Sequence, residues 1–433
     1  MEAQRLELSR LYARFAFGPL PGQFSEALAA GFSTSAKNLL NASVSDSALD
    51  ALPMPALPDL GSRPSPGNAV ATKAFNTAMK AQSEDLTLWW LDRMAVAKNP
   101  LVERMTWFWH GHWATSIDKV NFALPMFNQN QTLRSNALGN FRTMAHAMFH
   151  DGALQIWLDG NDSVKGSPNE NLSREFMELF ALGVNNYSED DVKAVARAFT
   201  GYQVVRSTGV VTFNPKRHDG DPIKLFGSNT PLDGDSATDL IVSREENARF
   251  IAERLWFRFI SSTSEVDSKF GVQTAFAGRD IASAVKALVS NGALSNPQYS
   301  VVRQPVEWFI AICRAFAIQP SKLSPRNFSL GHLLKMSQVP FLPPNVGGWP
   351  TDEAWLSSAS AQFRISFASA LGKQIDFSAL RAVSPEKRID YIKDLLGIYD
   401  LSTRTFTVLT NAKDDLPQFF TLAVCSPEFV VNA

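Results

Sequence analysis

The functional groups best suited to chemistry are concentrated between positions 167 and 180, where an amide, a guanidinium and several carboxylates interrupt an apolar helical pattern. At 3.6 residues per turn, Asn171, Glu175 and Glu178 fall on one stripe of the predicted helix. Two carboxylates that project together can serve as an acid/base pair or as metal ligands. A solvated helix with ion pairs gives the same pattern, and Arg174 follows a glutamate at the i,i+4 spacing of such a pair. The residue types therefore predict either a catalytic site or a solvent-exposed helix face.

Two histidines in a tryptophan-rich segment are candidates to complete such a site. His110 and His112 are separated by Gly111, and three tryptophans surround them. Residues at i,i+2 point to nearly opposite sides of a helix but to the same side of an extended segment, so a bend at Gly111 would let both reach one pocket. In that arrangement we expect His110, His112, Glu175 and Glu178 to bind a divalent metal, Zn, Fe or Mn. The alternative is that the tryptophans form a packing layer in which the histidines satisfy buried polar groups.

Two further pairs carry weaker signals. His146 and His150 are i,i+4 apart, so their imidazoles share one face of a predicted helix, as in helical zinc sites, although no glutamate follows His146 as in an HExxH motif. His218 and Asp219 lie in a predicted loop, where polar side chains often serve a site and a carboxylate can orient an imidazole. The alternative for this second pair is an Asx-type turn with exposed side chains.

Helices must position these groups, because helical periodicity dominates the chain. With 433 residues, 45% of them hydrophobic and 19% charged, the sequence predicts a single domain over 1–433 with a large core. The predicted fold class is mainly α, with a small β-hairpin and loop insertion at 202–228. The proline- and serine-rich stretch 42–68 predicts a surface loop. Ser188 is predicted to cap the helix that follows it. Further predicted helices cover 5–16, 24–30, 71–94, 101 into the tryptophan-rich segment, 132–158, 168–182, 244–260, 280–291 and 303–317.

The composition excludes several classes of function. Lys and Arg number 41 against 42 Asp and Glu, so no net field attracts nucleic acid or an anionic membrane. No run of about 18 apolar residues predicts a membrane span, and charged residues near the start replace the apolar run of a signal peptide. We expect a cytoplasmic protein, or an exported one if a leader has been removed. Cys313 and Cys425 lie far apart in apolar stretches and are expected to be free buried thiols. No Gly-x-Ser-x-Gly motif provides a nucleophile.

Several long motifs are similar to those of one known family. They lie at 107–116, 169–183, 191–201, 218–219, 303–307, 343–350 with Trp355, and 426–429. In these motifs the chain resembles the DUF1800 family, a bacterial family whose function is unassigned. The resemblance implies a mainly helical fold and, in many members, export. It also points to a sulfatase-like DUF1501 protein as a partner, because the genes of the two families often lie side by side. No catalytic residues carry over, because none is established for the family.

Two hypotheses of function follow. The first is a hydrolase or oxidoreductase with a metal or acid/base pocket between the carboxylate-bearing helix and the tryptophan-rich segment. Asn171 and Arg174 would orient its ligands, His218 and Asp219 would close it from a loop, and the proline- and glycine-rich loop ending at Trp349 would form a wall or lid. The second is a non-catalytic binding or assembly protein in which the Asn, Arg and Glu side chains form a structural polar network. A catalytic site should leave polar groups facing an open pocket, whereas a packing network should be closed.

Overall fold

The structure, a computed structural model, describes residues 2–41, 46–65 and 67–432. The chain is 61% helical, and the strands of the described residues form three small two-stranded antiparallel sheets. The predicted fold class, mainly α with a small β-hairpin, is confirmed. The helices of the first half are α1 (Glu2–Phe15), α2 (Gln23–Ala30), α3 (Phe32–Leu40), α4 (Ser47–Asp50), α5 (Ala69–Val96), α6 (Leu101–His112), α7 (Ile117–Val120), α8 (Ala123–Ser135), α9 (Phe141–Phe149), α10 (Gly152–Trp157), α11 (Glu170–Glu175) and α12 (Glu189–Ala198). Those of the second half are α13 (Gly234–Ser243), α14 (Glu245–Phe259), α15 (Val272–Ala275), α16 (Ile281–Ser290), α17 (Pro305–Ala315), α18 (Phe328–Lys335), α19 (Ser358–Gly372), α20 (Ser378–Ala382), α21 (Arg388–Leu396), α22 (Thr403–Ala412), α23 (Leu416–Val424) and α24 (Pro427–Val430). The strands are β1 (Tyr202–Val205), β2 (Val210–Phe213), β3 (Ile223–Leu225), β4 (Ser228–Thr230), β5 (Val301–Val302) and β6 (Val431–Asn432).

Capping side chains set the helix boundaries that the sequence predicts well. The Oγ of Ser188 accepts the amide of Asp191 at 3.2 Å, and the Asp191 carboxylate accepts the amide of Ser188 at 2.9 Å. This reciprocal capping box satisfies two amides at the start of α12 that the helix itself cannot pair. The predicted start of α12 is therefore confirmed.

The single helix predicted over 132–158 is wrong, because α8, α9 and α10 share this region. Asn140 caps α9 by accepting the amide of Arg142 at 2.9 Å, and Asp151 caps α10 by accepting the amide of Leu154 at 2.8 Å. Asn and Asp side chains that bond to nearby amides compete with helix continuation. The apolar periodicity runs through both breaks and does not reveal them.

The predicted hairpin is present as β1 and β2, with Tyr202 opposite Phe213 and Val205 opposite Val210. The sequence does not predict the hairpin of β3 and β4 or the pair of β5 and β6, because strands of two or three residues are too short for a periodic pattern. In the predicted loop 42–68, residues 42–45 and 66 lie outside the described part. The described residues of this loop form α4 and otherwise irregular backbone up to the start of α5.

The core consists of two large hydrophobic clusters, and α6 contributes to both. Phe108 and Trp109 belong to the first cluster, with residues of α1, α9 and α14, whereas Trp107 belongs to the second, with residues of α5 and α17. Successive residues of a helix point about 100° apart, so neighbouring aromatic residues can serve different clusters. The helix α6 is thus a central packing element, and it places its histidines deep in the protein.

Two smaller expectations concern the cysteines and the membrane. Both cysteines are free thiols; Cys313 is buried and Cys425 is partly buried. Burial raises the pKa of the Cys425 thiol to about 12, which keeps it protonated and unreactive. Among the described helices, none combines the length and the hydropathy that a bilayer span requires.

Candidate functional site

The loop after α18, residues 336–351, lies directly against α6, and we call it the wall loop. Gly348 has a φ of +85°, and a Cβ built on it would lie 2.6 Å from the carbonyl oxygen of Gly111. A side chain here would meet both the backbone of α6 and an unfavourable left-handed conformation. A hydrogen bond also attaches the wall loop to the residues after α6, because the carbonyl of Phe341 accepts the amide of Ile117 at 2.9 Å. The proline- and glycine-rich loop is therefore a fixed wall over α6.

His110 links α6 to the wall loop. Its Nε2 accepts the backbone amide of Phe341 at 3.0 Å. Its ring lies among the aromatic rings of Trp90, Trp107 and Trp349. Burial lowers the pKa of His110 to about 3, so the ring is neutral. These contacts support the structural interpretation of His110.

His112 contacts a different part of the protein. Its Nε2 lies 2.9 Å from the carbonyl oxygen of Phe180. A carbonyl can only accept, so Nε2 carries the proton of the neutral ring and Nδ1 keeps a lone pair. Nδ1 is buried and has no hydrogen-bond partner among the described residues. Burial and, to a smaller extent, the charge of Arg254 lower the pKa of His112 to about 3.

The end of the carboxylate-bearing helix supplies the acceptor for His112. After α11 the chain continues as a π-helical turn, Phe176–Ala181, and the amide of Leu182 at its end bonds to the carbonyl of Met177, five residues back instead of four. The carbonyls at the end of a helix lack donors within the helix, and side chains of other helices satisfy them here. His112 pairs with Phe180, and Asn247 donates to the carbonyl of Ala181 at 2.8 Å. Such π-helical turns are frequent at functional sites.

A small pocket lies between α6, α14 and the wall loop, with a cavity volume of about 40 Å³. His112 and Gly111 line it from α6, and no atom lies within 4 Å of the position that a Cβ on Gly111 would take. A surface groove of about 630 Å³ runs along α14 and shares Arg254 and Phe257 with the pocket. The pocket is lined by Trp107, Phe108, Gly111, His112, Arg254, Phe257, Arg258, Gln304, Gly347, Trp349 and Thr351.

Guanidinium groups outnumber carboxylates around this pocket. Glu307, at the start of α17, pairs with Arg104 at 2.9 Å and also with Arg258. Arg254 forms no ion pair with a described residue, and its Nε is buried without a hydrogen-bond partner. Burial and then the charge of Arg258 lower the pKa of Arg254. The pocket thus carries an excess of positive charge in a partly desolvated setting.

A larger cavity lies elsewhere and contains none of the candidate residues. It is an open surface groove of about 770 Å³ between α3 and α16. Apolar and small polar side chains line it, together with Lys37, Lys286 and Asp280. Its size does not outweigh the chemistry of the smaller pocket, because no histidine lines it.

Asn171 and Arg174 hold neighbouring elements together. The amide of Asn171 donates to the carbonyl of Leu158 at 3.2 Å. Arg174 donates to both carboxylate oxygens of Glu189, at 2.6 and 2.8 Å, and thereby joins α11 to α12. Neither residue lines the pocket. These contacts support the structural interpretation of both side chains.

The two carboxylates of the motif lie near each other but outside the pocket. Glu178 accepts a hydrogen bond from the hydroxyl of Tyr187. Glu175 is partly buried without a hydrogen-bond partner among the described residues, and burial followed by the charge of Glu178 raises its pKa. The catalytic role of Glu175 and Glu178 stays a prediction.

The structure does not assemble the predicted metal site from His110, His112, Glu175 and Glu178. Each histidine engages Nε2 with a different backbone group. Within residues 2–41, 46–65 and 67–432, no three His, Cys, Asp or Glu side chains are placed to hold an ion together. The expected bend at Gly111 is absent, since α6 continues to its end at His112, and i,i+2 side chains diverge on a helix.

His218 and Asp219 brace the hairpin insertion against α12. The Nδ1 of His218 lies 3.1 Å from the carbonyl oxygen of Thr200, and the amide of Asp219 donates to the Thr200 hydroxyl at 2.8 Å. The Asp219 carboxylate accepts from Arg197 at 2.6 Å, which holds the pKa of Asp219 below its usual value. Neither residue lines the pocket.

The pair on α9 meets two carboxylates of α13 near the surface. His146 lies between Asp235, at 2.9 Å from Nδ1, and Asp239, at 2.6 Å from Nε2. His150 also contacts Asp235, at 2.9 Å from Nε2. These pairs join two helices.

Sequence analysis did not single out Arg254 and Arg258, which line the pocket. Their i,i+4 spacing could have indicated them, because two like charges at this spacing repel each other on a helix and require a counter-charge from another element. Glu307 supplies it for Arg258 but not for Arg254.

Fold and site together define a mainly helical protein in which the tryptophan-rich helix and the wall loop enclose one polar pocket. The chain matches the family model described as "Protein of unknown function (DUF1800)" over residues 10–431. It therefore belongs to the DUF1800 family. Comparisons with curated proteins and with solved structures give no match.

Proposed function

We propose that the protein is an acid/base enzyme whose substrate binds between α6, α14 and the wall loop, with His112 as the proton acceptor. The observation that carries the proposal is the fixed tautomer of His112. Its Nε2 lies 2.9 Å from the carbonyl of Phe180, and its buried Nδ1 has no partner among the described residues. Enzymes that use a histidine base orient one ring nitrogen with a fixed acceptor and present the other to the reacting proton.

The setting of His112 suits a base that works only when the substrate is present. Burial and the charge of Arg254 keep the pKa near 3 in the empty pocket. A ligand group that offsets the charge of Arg254 removes one of these two causes and makes the imidazole more basic. A base of this kind serves hydrolysis by activating water and oxidation by removing a hydroxyl proton.

Turnover in a metabolite mixture tests the proposal without a known substrate. The purified protein is incubated with a small-molecule extract, and mass spectrometry identifies any compound that is consumed. The His112→Gln variant keeps an N–H for the Phe180 carbonyl but lacks the base. Parallel incubations with EDTA show whether a metal takes part.

His332→Gln is the control, because His332 is a partly buried histidine that stacks on Phe367 and does not line the pocket. We expect the original protein and His332→Gln to consume the same compound and His112→Gln to lose at least about 100-fold in rate. Equal rates for His112→Gln, or no consumption by the original protein, would contradict the proposal.

A further inference from the structure

We propose that the substrate carries an oxyanion group, a carboxylate, phosphate or sulfate, and that Arg254 binds this group at the entrance of the pocket. The inference rests on the proposed function, because it names the substrate class of the same site. It depends on three observations: the charge balance around the pocket, the position of Arg254, and the shape of the space.

The charge balance leaves one cation without a counter-ion. Arg104 and Arg258 both pair with one carboxylate, that of Glu307, whereas Arg254 has no ion pair with a described residue. The carboxylate is engaged with Arg104 and Arg258, and it also accepts the amide of Gln304 at 3.2 Å. Arg254 is partly exposed, but its Nε is buried without a partner among the described residues, and an anionic ligand would pair with this guanidinium.

Arg254 lies beside both spaces that a ligand could occupy. It lines both the surface groove on α14 and the inner pocket, and its neighbour Phe257 does the same. The planar guanidinium presents paired N–H donors that match the two oxygens of a carboxylate, phosphate or sulfate. Other buried arginines of the chain use some of their donors on the protein itself, although Arg10, Arg303, Arg314 and Arg364 each also keep a buried nitrogen without a partner among the described residues. Arg314, for example, donates to the carbonyls of Gly18 and Ala97, each at 2.7 Å.

A second unpaired donor lines the same pocket. The indole Nε1 of Trp349 is buried without a hydrogen-bond partner among the described residues. Buried N–H groups are usually paired in proteins; the indoles of Trp89, Trp113 and Trp157 are also unpaired among the described residues, but of these four only Trp349 lines the pocket. Arg254 on α14 and Trp349 on the wall loop would then bind the oxyanion from two sides.

The space sets the size of the ligand. The inner pocket, at about 40 Å³, admits a group of only a few atoms, whereas the groove, at about 630 Å³, admits a larger body. Phe250 and Phe257 give the groove an apolar lining near Arg254. We therefore assign the oxyanion to a larger, partly apolar substrate and not to a free inorganic ion.

Binding of simple probes tests the inference. Inorganic phosphate, sulfate and acetate are compared with phenyl phosphate, phenyl sulfate and phenylacetate, by calorimetry and thermal unfolding, with NaCl at equal ionic strength as the reference. We expect at least one phenyl-bearing anion to bind more tightly than its inorganic or methyl counterpart. Equal affinity for both would overturn the assignment to a larger substrate, and no binding beyond the NaCl reference would overturn the inference as a whole.

Variants of α14 locate the binding. Arg254→Gln should weaken the best probe about tenfold or more. Arg249→Gln is the matched control, because Arg249 lies on the same helix and lines the groove but not the pocket. Arg254→Lys, which keeps the charge without the forked donors, should fall between the two. Unchanged affinity in Arg254→Gln, or an equal loss in Arg249→Gln, would overturn the role of Arg254.

The unliganded Arg254→Gln protein should melt no lower than the original, because the change removes an unpaired cation. Probe binding and turnover are separate measurements on the original protein. Probe binding without turnover would defeat only the proposed acid/base function. Turnover without probe binding would defeat only the oxyanion inference.

Discussion

The imidazole of His112 and the backbone carbonyl of Phe180 are joined by a hydrogen bond of 2.9 Å across 68 positions of the sequence. This bond connects α6 to the π-helical turn that ends the carboxylate-bearing helix. It fixes which nitrogen of His112 carries the proton. The π-helical turn therefore orients His112 through the backbone carbonyl of Phe180, whereas the carboxylates of the same segment do not contact this histidine. The two segments with the strongest motifs therefore meet through a backbone group.

The buried histidines predict a loss of stability in acid. The pKa values of His110 and His112 are about 3 in the folded protein against an ordinary value of 6.5. Between these values the unfolded state binds two more protons, so the free energy of unfolding should fall by up to about 2.7 kcal/mol per pH unit as the pH decreases. Urea unfolding from pH 7 to pH 4 measures this slope. The double variant His110→Gln, His112→Gln should give a shallower slope, and an identical slope would show that neither histidine is kept neutral by the fold.

Asp151 predicts the opposite dependence. Burial raises the pKa of this N-cap carboxyl to about 7, from an ordinary value of 3.8. Its contribution to stability is therefore fully present below pH 3.8 and is lost as the pH rises through 7. Asp151→Asn keeps an acceptor for the Leu154 amide, so its stability relative to the original protein should improve by about 1 kcal/mol or more between pH 4 and pH 8.

The control for this change is Asp280→Asn, at an exposed N-cap that accepts the amide of Ser283 at 2.6 Å. Urea unfolding of both variants at pH 4 and pH 8 makes the comparison. A relative stability of Asp151→Asn that is the same at both pH values would refute the assigned protonation of Asp151.

Gly111→Ala should raise the stability of the protein and weaken its ligand binding. Alanine favours a helix over glycine by up to about 1 kcal/mol, and the added methyl group enters open space that belongs to the pocket. We expect a small gain in thermal stability and weaker binding of the oxyanion probes. Gly331→Ala is the matched control, because Gly331 lies within α18 and also faces open space. If Gly111→Ala binds the probes as well as Gly331→Ala does, the space beside Gly111 is not part of the site.

Gly348→Ala should loosen the wall loop. The change places a methyl group 2.6 Å from the carbonyl oxygen of Gly111 at a φ of +85°. Gly227→Ala isolates the backbone effect, because Gly227 has a φ of +86° and no atom within 4 Å of the added Cβ. Each variant should lose about 1 kcal/mol or more from the backbone conformation, and Gly348→Ala should lose more than Gly227→Ala. Equal losses in urea unfolding would mean that the loop moves away from α6 without cost.

The sequence predicts those parts of the fold that local chemistry determines. The capping box of Ser188 and Asp191, the β1–β2 hairpin and the helical class follow from residues close together in the chain. The breaks that divide 132–158 depend on single capping side chains within a continuous apolar pattern, and so periodicity alone misses them.

The site is harder to predict, because its defining contacts are distant in the sequence. His112 and not His110 is proposed as the base because the Nε2 of His112 contacts a backbone carbonyl, whereas the Nε2 of His110 accepts a backbone amide. The unpaired state of Arg254 depends on Glu307, which is engaged with Arg104 and Arg258. No local pattern contains these relationships. The four predicted metal ligands are not brought together in the structure, since α6 continues to His112 without the expected bend at Gly111.

The most direct test of the account is the protonation state of His112, measured by nuclear magnetic resonance on protein labelled with ¹⁵N in its histidine rings. We predict a neutral ring with the proton on Nε2 at pH 7, and a change in the Nδ1 signal when a phenyl-bearing oxyanion binds. A ring protonated on Nδ1 at pH 7, or an Nδ1 signal that no oxyanion probe affects, would contradict the assignment of His112 to the site.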